Sequence, residues 1–424
     1  MIIYYKYKRL QQSSVIGNPR KLFLTLLKLK EDISQMSKKI VLIGVGNCGG
    51  QVASLAERKY TDLFDAVYIN SSESDLAMIK GDNNIKFKIG NRDEIEGSGK
   101  NRAKMKEYLL ADINKILGNE NFQNCVATKK YCYIITSAAG GTGSGAAPVL
   151  TEVMRQMFPD TNFILVAVLP NMNASLMEQG NTLEFLTELY DVLGDTTTYM
   201  IYDNESTVEL PPTTALSIVN EAIVEDLRVL SGIDNYPTPY ESIDEADLES
   251  IISTPGRLLI TRVTTGLTEK AMEDDNLDDI IIKTIKCSAH AETDRNKKVV
   301  RWGIITYFTE EVNALYRPSL DKLMNFIGTP FERFNHNSIN DKNENLNFLY
   351  LITSGLSPIN DRVLKITNRI EELKAALAKD ETNRYILSGE GSSYSTLEER
   401  KKANRRAHHS EEVNPADIFK RFMK

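Results

Sequence analysis

The stretch AAGGTGSGAAP, residues 138–148, places four glycines within eleven residues, directly after the apolar run at residues 131–136. Glycine is the least favourable ordinary residue inside a helix or strand, because it loses the most backbone freedom on ordering. A cluster of glycines therefore indicates that the backbone itself approaches another group closely. Between a buried strand and a helix, this arrangement favours a phosphate, since backbone N–H groups and the positive end of a helix bind anions.

A second glycine-rich stretch, GVGNCG at residues 44–49, follows the β-branched run at residues 39–43. Its GxGxxG spacing is typical of a dinucleotide-binding site, which remains an alternative. Such a site needs an acidic residue at the end of the second strand, about 20 residues on, where this chain has Asn70-Ser71-Ser72. A Walker A loop is not present, because Gly99-Lys100-Asn101 lacks both the hydroxyl and the upstream glycine spacing.

Short apolar runs alternate with helical patterns through the first half of the chain. The predicted strands are residues 39–43, 66–70, 131–136, 163–169 and 200–202. This alternation predicts an α/β fold with a Rossmann-like parallel sheet, helices on both faces, and ligands at the carboxyl ends of the strands. Both glycine loops lie at those ends, and the second is expected to enter a helix at Ala146.

The second half predicts a further α/β unit. A helix at residues 214–230, preceded by Pro211-Pro212, marks the boundary. Beyond it we expect strands at 257–263, 299–308 and 346–353, helices at 267–275 and 278–292, and a long charged helix from 358 to 379. The predicted domains are an N-terminal extension (1–35), a nucleotide-binding domain (36–210), a central helix (211–232), a second domain (233–357), a long C-terminal helix (358–387) and a basic tail (388–424).

Composition narrows the classes of protein. The 424 residues carry a formal net charge of −7, which argues against a generally basic nucleic-acid binder. The four cysteines form no CxxC pair, and no apolar stretch reaches the roughly 18 residues of a membrane span. We therefore expect a cytoplasmic protein without a membrane span. The basic, partly apolar start is either an amphipathic helix or a segment ahead of a true start at Met36.

GGTGSGAAP resembles the G-G-T-G-[ST]-G loop of the tubulin/FtsZ superfamily, and the resemblance extends from Lys39 to about Leu356. It implies a GTP-binding domain, a central helix and an activation domain, with GTP/GDP and Mg²⁺ as cofactors. It also implies head-to-tail assembly into filaments, so that the main partner is another copy of the chain. The metal ligands are not specified, since the family's second loop commonly reads Asn-Thr-Asp and the aspartate is missing here.

The resemblance assigns phosphate-loop residues position by position. The nucleotide-binding residues that it implies are Gly44, Gly46, Asn47, Cys48, Gly49, Gly50, Asn70, Ser71, Gly99, Lys100, Gly140, Gly141, Thr142, Gly143, Ser144 and Gly145. Lys100 and Arg102 either supply charge to the γ-phosphate or form a solvated basic turn.

Three further residues resemble contacts to the nucleoside. Asn204 follows a strand and looks like the residue that reads the guanine edge, with Asn220 of the central helix as its partner. An Asn side chain offers both a donor and an acceptor, as guanine recognition requires. Glu178 is similar to a ribose contact.

The hydrolytic residues lie elsewhere in the sequence. SIDEADLE, residues 242–249, resembles the family's N-x-D-x-x-D synergy loop, with Ser242 in the place of Asn. Asp244 and Asp247 match its two acids and are the predicted catalytic residues. On a helix start, positions i and i+3 share one face. In the family this loop acts on the nucleotide of the next subunit, which implies a GTPase that is activated by polymerisation. An ordinary acidic helix start is the competing interpretation.

The late helix and basic tail resemble the plasmid- and phage-encoded bacterial tubulins of the TubZ type. The implied function is a dynamic filament that segregates or positions DNA. Five basic residues lie within 400–406, so residues 400–424 either recruit a DNA-bound adaptor, attract nucleic acid, contact a filament neighbour or form a solvated end. A cell-division FtsZ-like filament, a polymer that does not hydrolyse GTP and a non-polymerising Rossmann-type enzyme are the alternatives.

Overall fold

The computed structural model describes residues 40–80, 85–90, 97–231, 238, 241–292, 298–317, 320–340 and 346–387. The expectations for residues 1–35 and for the tail at 388–424 lie outside the described residues. Within the described part of the chain, no helix is both long and apolar enough to cross a membrane.

Six mutually parallel strands carry the glycine loops. In chain order they are β1 (Ile40–Val45), β2 (Phe64–Asn70), β3 (Lys86–Lys88), β4 (Tyr131–Ser137), β5 (Asn162–Leu169) and β6 (Thr198–Asp203). Their order across the sheet is β3-β2-β1-β4-β5-β6. Every residue of β1 and β6 is buried, as expected for strands covered on both faces.

Helices cover both faces of these strands. They are α1 (Gly46–Lys59), α2 (Glu73–Met78), α3 (Arg102–Leu117), α4 (Glu120–Val126), α5 (Thr142–Met157) and α6 (Leu176–Glu188). Ile40 and Leu42 pack in one core with Val52 of α1, whereas Val41 and Ile43 pack in a second core. This alternation follows from the period of two along a strand.

The second half of the chain continues the same sheet. Its elements are α7 (Pro212–Ser231), α8 (Glu245–Ile252), β7 (Gly256–Val263), α9 (Glu269–Glu273), α10 (Leu277–Lys286), β8 (Arg301–Phe308), α11 (Glu310–Leu315), α12 (Asp321–Ile327), β9 (Glu332–Ile339), β10 (Phe348–Leu356) and α13 (Asn360–Leu387). β7 joins β6 in parallel through the pairs Thr198↔Gly256 and Tyr199↔Arg257. The sheet then continues in the order β7-β10-β8-β9.

The sheet is therefore mixed. β10 runs antiparallel to both β7 and β8, and β9 runs parallel to β8. A third apolar core, which includes Leu259, Trp302 and Leu323, lies in this half. The α/β class with a Rossmann-like first half is confirmed, and the domain boundaries stay a prediction.

Two helices begin or end where the sequence pattern did not place them. The helix after the GGTGSG stretch begins at Thr142 and not at Ala146, so Pro148 lies inside it. The helix expected over 278–292 ends at Lys286. Its last residues pair with β6 instead, since Asp203 donates its N–H to the Ala289 carbonyl at 2.9 Å and Ala291 donates to the Ile201 carbonyl at 2.9 Å.

Candidate functional site

The two glycine loops lie against each other at the carboxyl ends of β1 and β4. β1 passes into α1 without an intervening loop, at Gly46, whose φ of +73° favours glycine. A Cβ on Gly46 would lie 3.1 Å from the backbone nitrogen of Gly143. The first turns of α1 and α5 thus start side by side, which brings two positive helix ends to one place.

Several of the predicted phosphate-loop glycines are required by contacts within the protein. A Cβ on Gly44 would lie 2.6 Å from the carbonyl oxygen of Gly49, and one on Gly145 would lie 2.5 Å from that of Arg102. Gly140 differs, because an added Cβ there meets no atom within 4 Å. Gly140 therefore has the open space that a ligand needs, as does Gly99, whose φ of +54° is left-handed.

The loop at residues 97–101 packs on the GGTGSG loop. A Cβ on Gly141 would lie 2.7 Å from the Cα of Lys100, which has a left-handed φ of +61°. The buried amide of Asn181 holds the two loops together. It donates to the carbonyls of Lys100 at 3.0 Å, Ala139 at 3.1 Å and Gly140 at 3.3 Å.

Glu178 lies at the start of α6 and contacts this same loop. Ser175 and Glu178 form a reciprocal capping box, and Lys100 donates to the Glu178 carboxylate at 2.8 Å. Partial burial raises the pKa of Glu178, but the hydrogen bonds from Lys100 and Ser175 outweigh it and the pKa is lowered. Glu178 is therefore a carboxylate paired with Lys100, and the pair ties α6 to the loop.

Arg102 is not a solvated residue. Its guanidinium is buried, donates to Glu184 at 2.8 Å and Glu188 at 2.7 Å, and donates to the Ser144 carbonyl at 2.9 Å. In a regular helix the Ser144 carbonyl would accept the N–H of residue 148. Residue 148 is a proline and has no N–H, so the carbonyl lacks its intrahelical donor. Arg102 thus satisfies the backbone of α5 at its proline.

The second loop also reaches the GGTGSG loop. The hydroxyls of Ser71 and Thr142 lie 2.7 Å apart. Asn70 donates its amide to the Asp75 carboxylate at 3.2 Å and accepts the Ser72 N–H at 3.2 Å. A carboxylate therefore stands beside this loop, three residues later than the family's Asn-Thr-Asp pattern would place it.

Two predicted contacts on α1 differ in exposure. Asn47 is exposed, whereas Cys48 is partly buried, and desolvation raises the pKa of the Cys48 thiol to about 12. Cys48 is therefore a neutral thiol at physiological pH and adds no negative charge near the glycine loops.

Asn204 follows β6 in a turn at residues Asn204–Thr207 that packs against α7. Its side-chain oxygen is buried and accepts no hydrogen bond from the described residues. Such an orphan acceptor is costly unless a ligand or water satisfies it. Asn220 lies half-buried on α7. The structure thus places both predicted base readers on elements that contact each other.

Asp244 and Asp247 are at the start of α8. Asp244 is the N-cap, and each carboxylate accepts the other residue's N–H, at 2.9 Å for Asp247 N–H and 3.3 Å for Asp244 N–H. Asp244 therefore lies just outside the helix. The preceding residue, Ile243, donates its N–H to Nδ1 of His336 on β9 at 3.2 Å, which fixes the approach to α8.

α8 lies at the amino-terminal edge of the sheet. Lys130, immediately before β4, pairs with Glu249 at 2.8 Å, and its hydrogen bond to that carboxylate lowers the pKa of Glu249. Asn162, the first residue of β5, also donates to Glu249 at 3.4 Å. The glycine loops follow the opposite, carboxyl-terminal edge, about 20 Å away along the seven residues of β4.

These features define a class of protein. Adjoining helix starts and clustered hydroxyls are a candidate nucleotide site at the carboxyl ends of the strands, and the orphan oxygen of Asn204 is a candidate contact to the base. The candidate acids lie at the other edge.

Comparison with known proteins identifies the family. Residues 39–210 match the model of the Tubulin/FtsZ family, GTPase domain. Residues 39–210 are therefore a GTPase domain of the tubulin/FtsZ family.

Two curated relatives and one solved structure show how far the likeness extends. The chain is 25% identical over 232 residues to the tubulin-like protein CetZ of Pyrococcus abyssi, covering 51% of the chain and 59% of the relative. It is 30% identical over 150 residues to the tubulin-like protein TubZ of Clostridium botulinum C phage, covering 35% and 39%. The match therefore spans less than two thirds of either relative.

The solved structure is a GTPγS-form protofilament of TubZ from Bacillus thuringiensis serovar israelensis. The match has a TM-score of 0.66 and 16% sequence identity, and covers 82% of this chain and 94% of that one. At this identity the likeness concerns the fold. CetZ and TubZ proteins are both among the matches, so the comparisons do not single out the TubZ type.

Sequence reasoning did not assign several residues that shape the site. Asn181 lies three positions after Glu178, on the same face of α6, and that spacing was an available signal. Asp75 follows the second loop closely enough to be noticed as a nearby carboxylate. The bond between Arg102 and Ser144 joins residues 42 positions apart, and no local pattern indicates it.

Proposed function

We propose that this protein is a GTPase that assembles head to tail, with GTP hydrolysed at the joint between subunits. One observation carries the proposal. The glycine loops and the pair Asp244 and Asp247 occupy opposite edges of one sheet, so a single chain cannot bring the acids to its own nucleotide. Stacking copies along the strand direction places one edge against the other, as a heterologous head-to-tail contact does.

In this proposal, the phosphates bind at the paired starts of α1 and α5. Backbone N–H groups in the first turn of a helix have no intrahelical partner and donate to anions. Gly140 has open space for such a ligand, and Thr142, two residues later in the same loop, carries a hydroxyl. Asn204 and Asn220 bind the guanine base, and the orphan oxygen of Asn204 accepts a hydrogen bond from it.

Hydrolysis needs an oriented water and charge compensation at the phosphates. Asp244 and Asp247 of the next subunit orient the attacking water. Both carboxylates are engaged in capping α8, so these bonds hold the acids in a fixed arrangement until the neighbour's nucleotide arrives. Hydrolysis removes the γ-phosphate from the joint and weakens it.

Mg²⁺ is part of the proposal. Within the described residues, no group of three or more His, Cys, Asp or Glu side chains is arranged to hold a metal. An ion held mainly by phosphates and water needs only one or two protein oxygens. The hydroxyls of Ser71 and Thr142 and the carboxylate of Asp75 fit that requirement, and the bound ion would neutralise phosphate charge.

The test records light scattering and phosphate release together after GTP and Mg²⁺ are added. Wild type should scatter above a critical concentration and release phosphate, whereas Asp247→Ala should scatter but release little. Asp279→Ala is the matched control, because Asp279 is an exposed acid whose ion pair within the described residues is with the exposed Lys322. An Asp247→Ala protein with wild-type phosphate release contradicts the proposal.

We further propose that the filament moves plasmid or phage DNA in the cytoplasm. The resemblance to TubZ supports this role, as do the basic residues of the tail. The four cysteines, all within the described residues, are free thiols, which fits a reducing compartment. The test is co-sedimentation of polymer with plasmid DNA, with and without residues 388–424. Equal DNA recovery from both proteins, alone and with host extract, rules out the tail as the link.

A further inference from the structure

Arg362, in the first turns of α13, is buried against the turn that carries Asn204. Its guanidinium binds the Asp203 carboxylate through two bonds, Nε to Oδ2 at 2.6 Å and Nη2 to Oδ1 at 3.0 Å. Both side chains are nearly inaccessible to solvent, at 3% and 7% exposure. A bidentate ion pair of this kind fixes direction as well as distance.

The same guanidinium reaches the loop between β5 and α6. Arg362 donates to the Pro170 carbonyl at 2.8 Å and contacts the sulfur of Met172. The Met172 N–H in turn donates to the Glu205 carboxylate at 2.7 Å. Arg362 therefore joins two loops that flank the carboxyl ends of β5 and β6.

The residues on either side of Asn204 both belong to this network. Asp203 precedes it and also accepts the Glu205 N–H at 3.0 Å. Glu205 follows it and is held by Met172. Asn204 itself has a buried side-chain oxygen without a partner among the described residues. Its backbone is thus fixed on both sides while its amide is left free to bind something else.

We propose that Arg362 is a positioning residue for base recognition: through Asp203 it holds Asn204 in the orientation that reads the base of the nucleotide. This inference rests on the proposed GTP site. It assigns to α13 a role in nucleotide selection that is separate from the phosphate loops, since the side-chain hydrogen bonds of Arg362 within the described residues go to Asp203, Pro170 and Met172.

The experiment measures the affinities of fluorescent GTP and ATP analogues with Mg²⁺ for the full-length protein. The variants are Arg362→Lys, which keeps the charge but loses the two-bond geometry, and Asp203→Asn, which removes the carboxylate. Lys365→Met is the matched control, since Lys365 lies one turn along the same helix in an exposed pair with Glu292. Thermal melting of each protein reports folding independently.

Both network variants should bind the GTP analogue about tenfold more weakly, as expected for losing a well-aligned charged hydrogen bond. Their affinity for the ATP analogue should not change, so the preference for GTP falls by the same factor. Lys365→Met should keep both affinities. Both network variants should melt at a lower temperature, because each disturbs a buried ion pair, whereas a purely structural role for Arg362 would weaken the binding of both analogues equally.

The outcomes distinguish the positioning role of Arg362 from the GTP site on which it depends. If wild type prefers GTP and Arg362→Lys keeps that preference, the positioning role is wrong while the GTP site stands. If wild type shows no preference for GTP over ATP, the proposed function fails, and the inference fails with it.

Discussion

Replacing Gly44 by alanine should destabilise the fold, whereas the same change at Gly140 should not. A Cβ on Gly44 would lie 2.6, 2.7 and 2.8 Å from three backbone atoms of Gly49 and Gly50. The shortest contact is about 0.8 Å below the distance at which ordinary van der Waals contact begins. Because backbone atoms cannot rotate away as side chains do, α1 must move off β1, at a cost of about 3 kcal/mol.

Gly140→Ala is the matched change within the nucleotide loops. No atom lies within 4 Å of the added Cβ, so the free energy of unfolding should change by less than about 1 kcal/mol. Its effect should appear when GTP is present. In wild type, GTP at a hundredfold excess over its Kd stabilises the protein by about 2.7 kcal/mol, and Gly140→Ala should lose most of that gain if the phosphates occupy the open space.

Urea denaturation followed by circular dichroism, with and without GTP, measures both effects. Equal destabilisation by the two substitutions would refute the distinction between glycines that pack against the protein and the glycine that faces open space. Wild-type stability for Gly44→Ala would refute it as well.

The remaining predictions concern charged groups. Partial burial raises the pKa of Glu225, but hydrogen bonds from Tyr60 and Arg228 outweigh it and bring the pKa down to about 2. The free energy that these hydrogen bonds contribute to folding is therefore fully present above the unfolded pKa near 4.5, and it is lost as the pH falls toward 2. Glu225→Gln should abolish about 1–2 kcal/mol of this acid dependence in urea melts. Arg102→Met should cost about 2–3 kcal/mol in the same assay at neutral pH, since it leaves the Ser144 carbonyl without its donor; an unchanged urea midpoint would show that water replaces the guanidinium.

Five of the six strands in the parallel half could be predicted from sequence because they are nearly continuous buried runs, whereas the three-residue β3 was missed. β4 and β5 were placed within one residue of their observed ends, because short apolar runs rich in β-branched and aromatic residues and bounded by turn signals favour buried strands. β9 was missed. Its sequence ERFNHNSI is mostly polar, and its residues other than His336 and Ser338 are exposed or half-buried. The sequence therefore shows no apolar run or alternation that would predict a strand.

The candidate site also has features that the sequence could indicate and features that it could not. The glycine loops could be found from sequence because close backbone approach requires glycine itself. What sequence could not show is that the closest neighbours of Gly44 and Gly145 belong to the protein. It also could not reveal the pair of Arg362 with Asp203, which joins residues 159 positions apart. Contacts between residues so far apart in sequence depend on how the sheet and helices pack, and no local sequence spacing predicts them.

The most direct test of the intersubunit site mixes two variants that are each inactive. Asp247→Ala binds GTP but lacks the acid, and Gly140→Asp keeps the acid while its added carboxylate, in open space, repels the phosphates. In a random head-to-tail copolymer, one joint in four combines a bound GTP with an intact loop, so the mixture should release phosphate at about a quarter of the wild-type rate. A mixture as inactive as its components, or an Asp247→Ala protein that is active alone, contradicts a GTPase site shared between subunits.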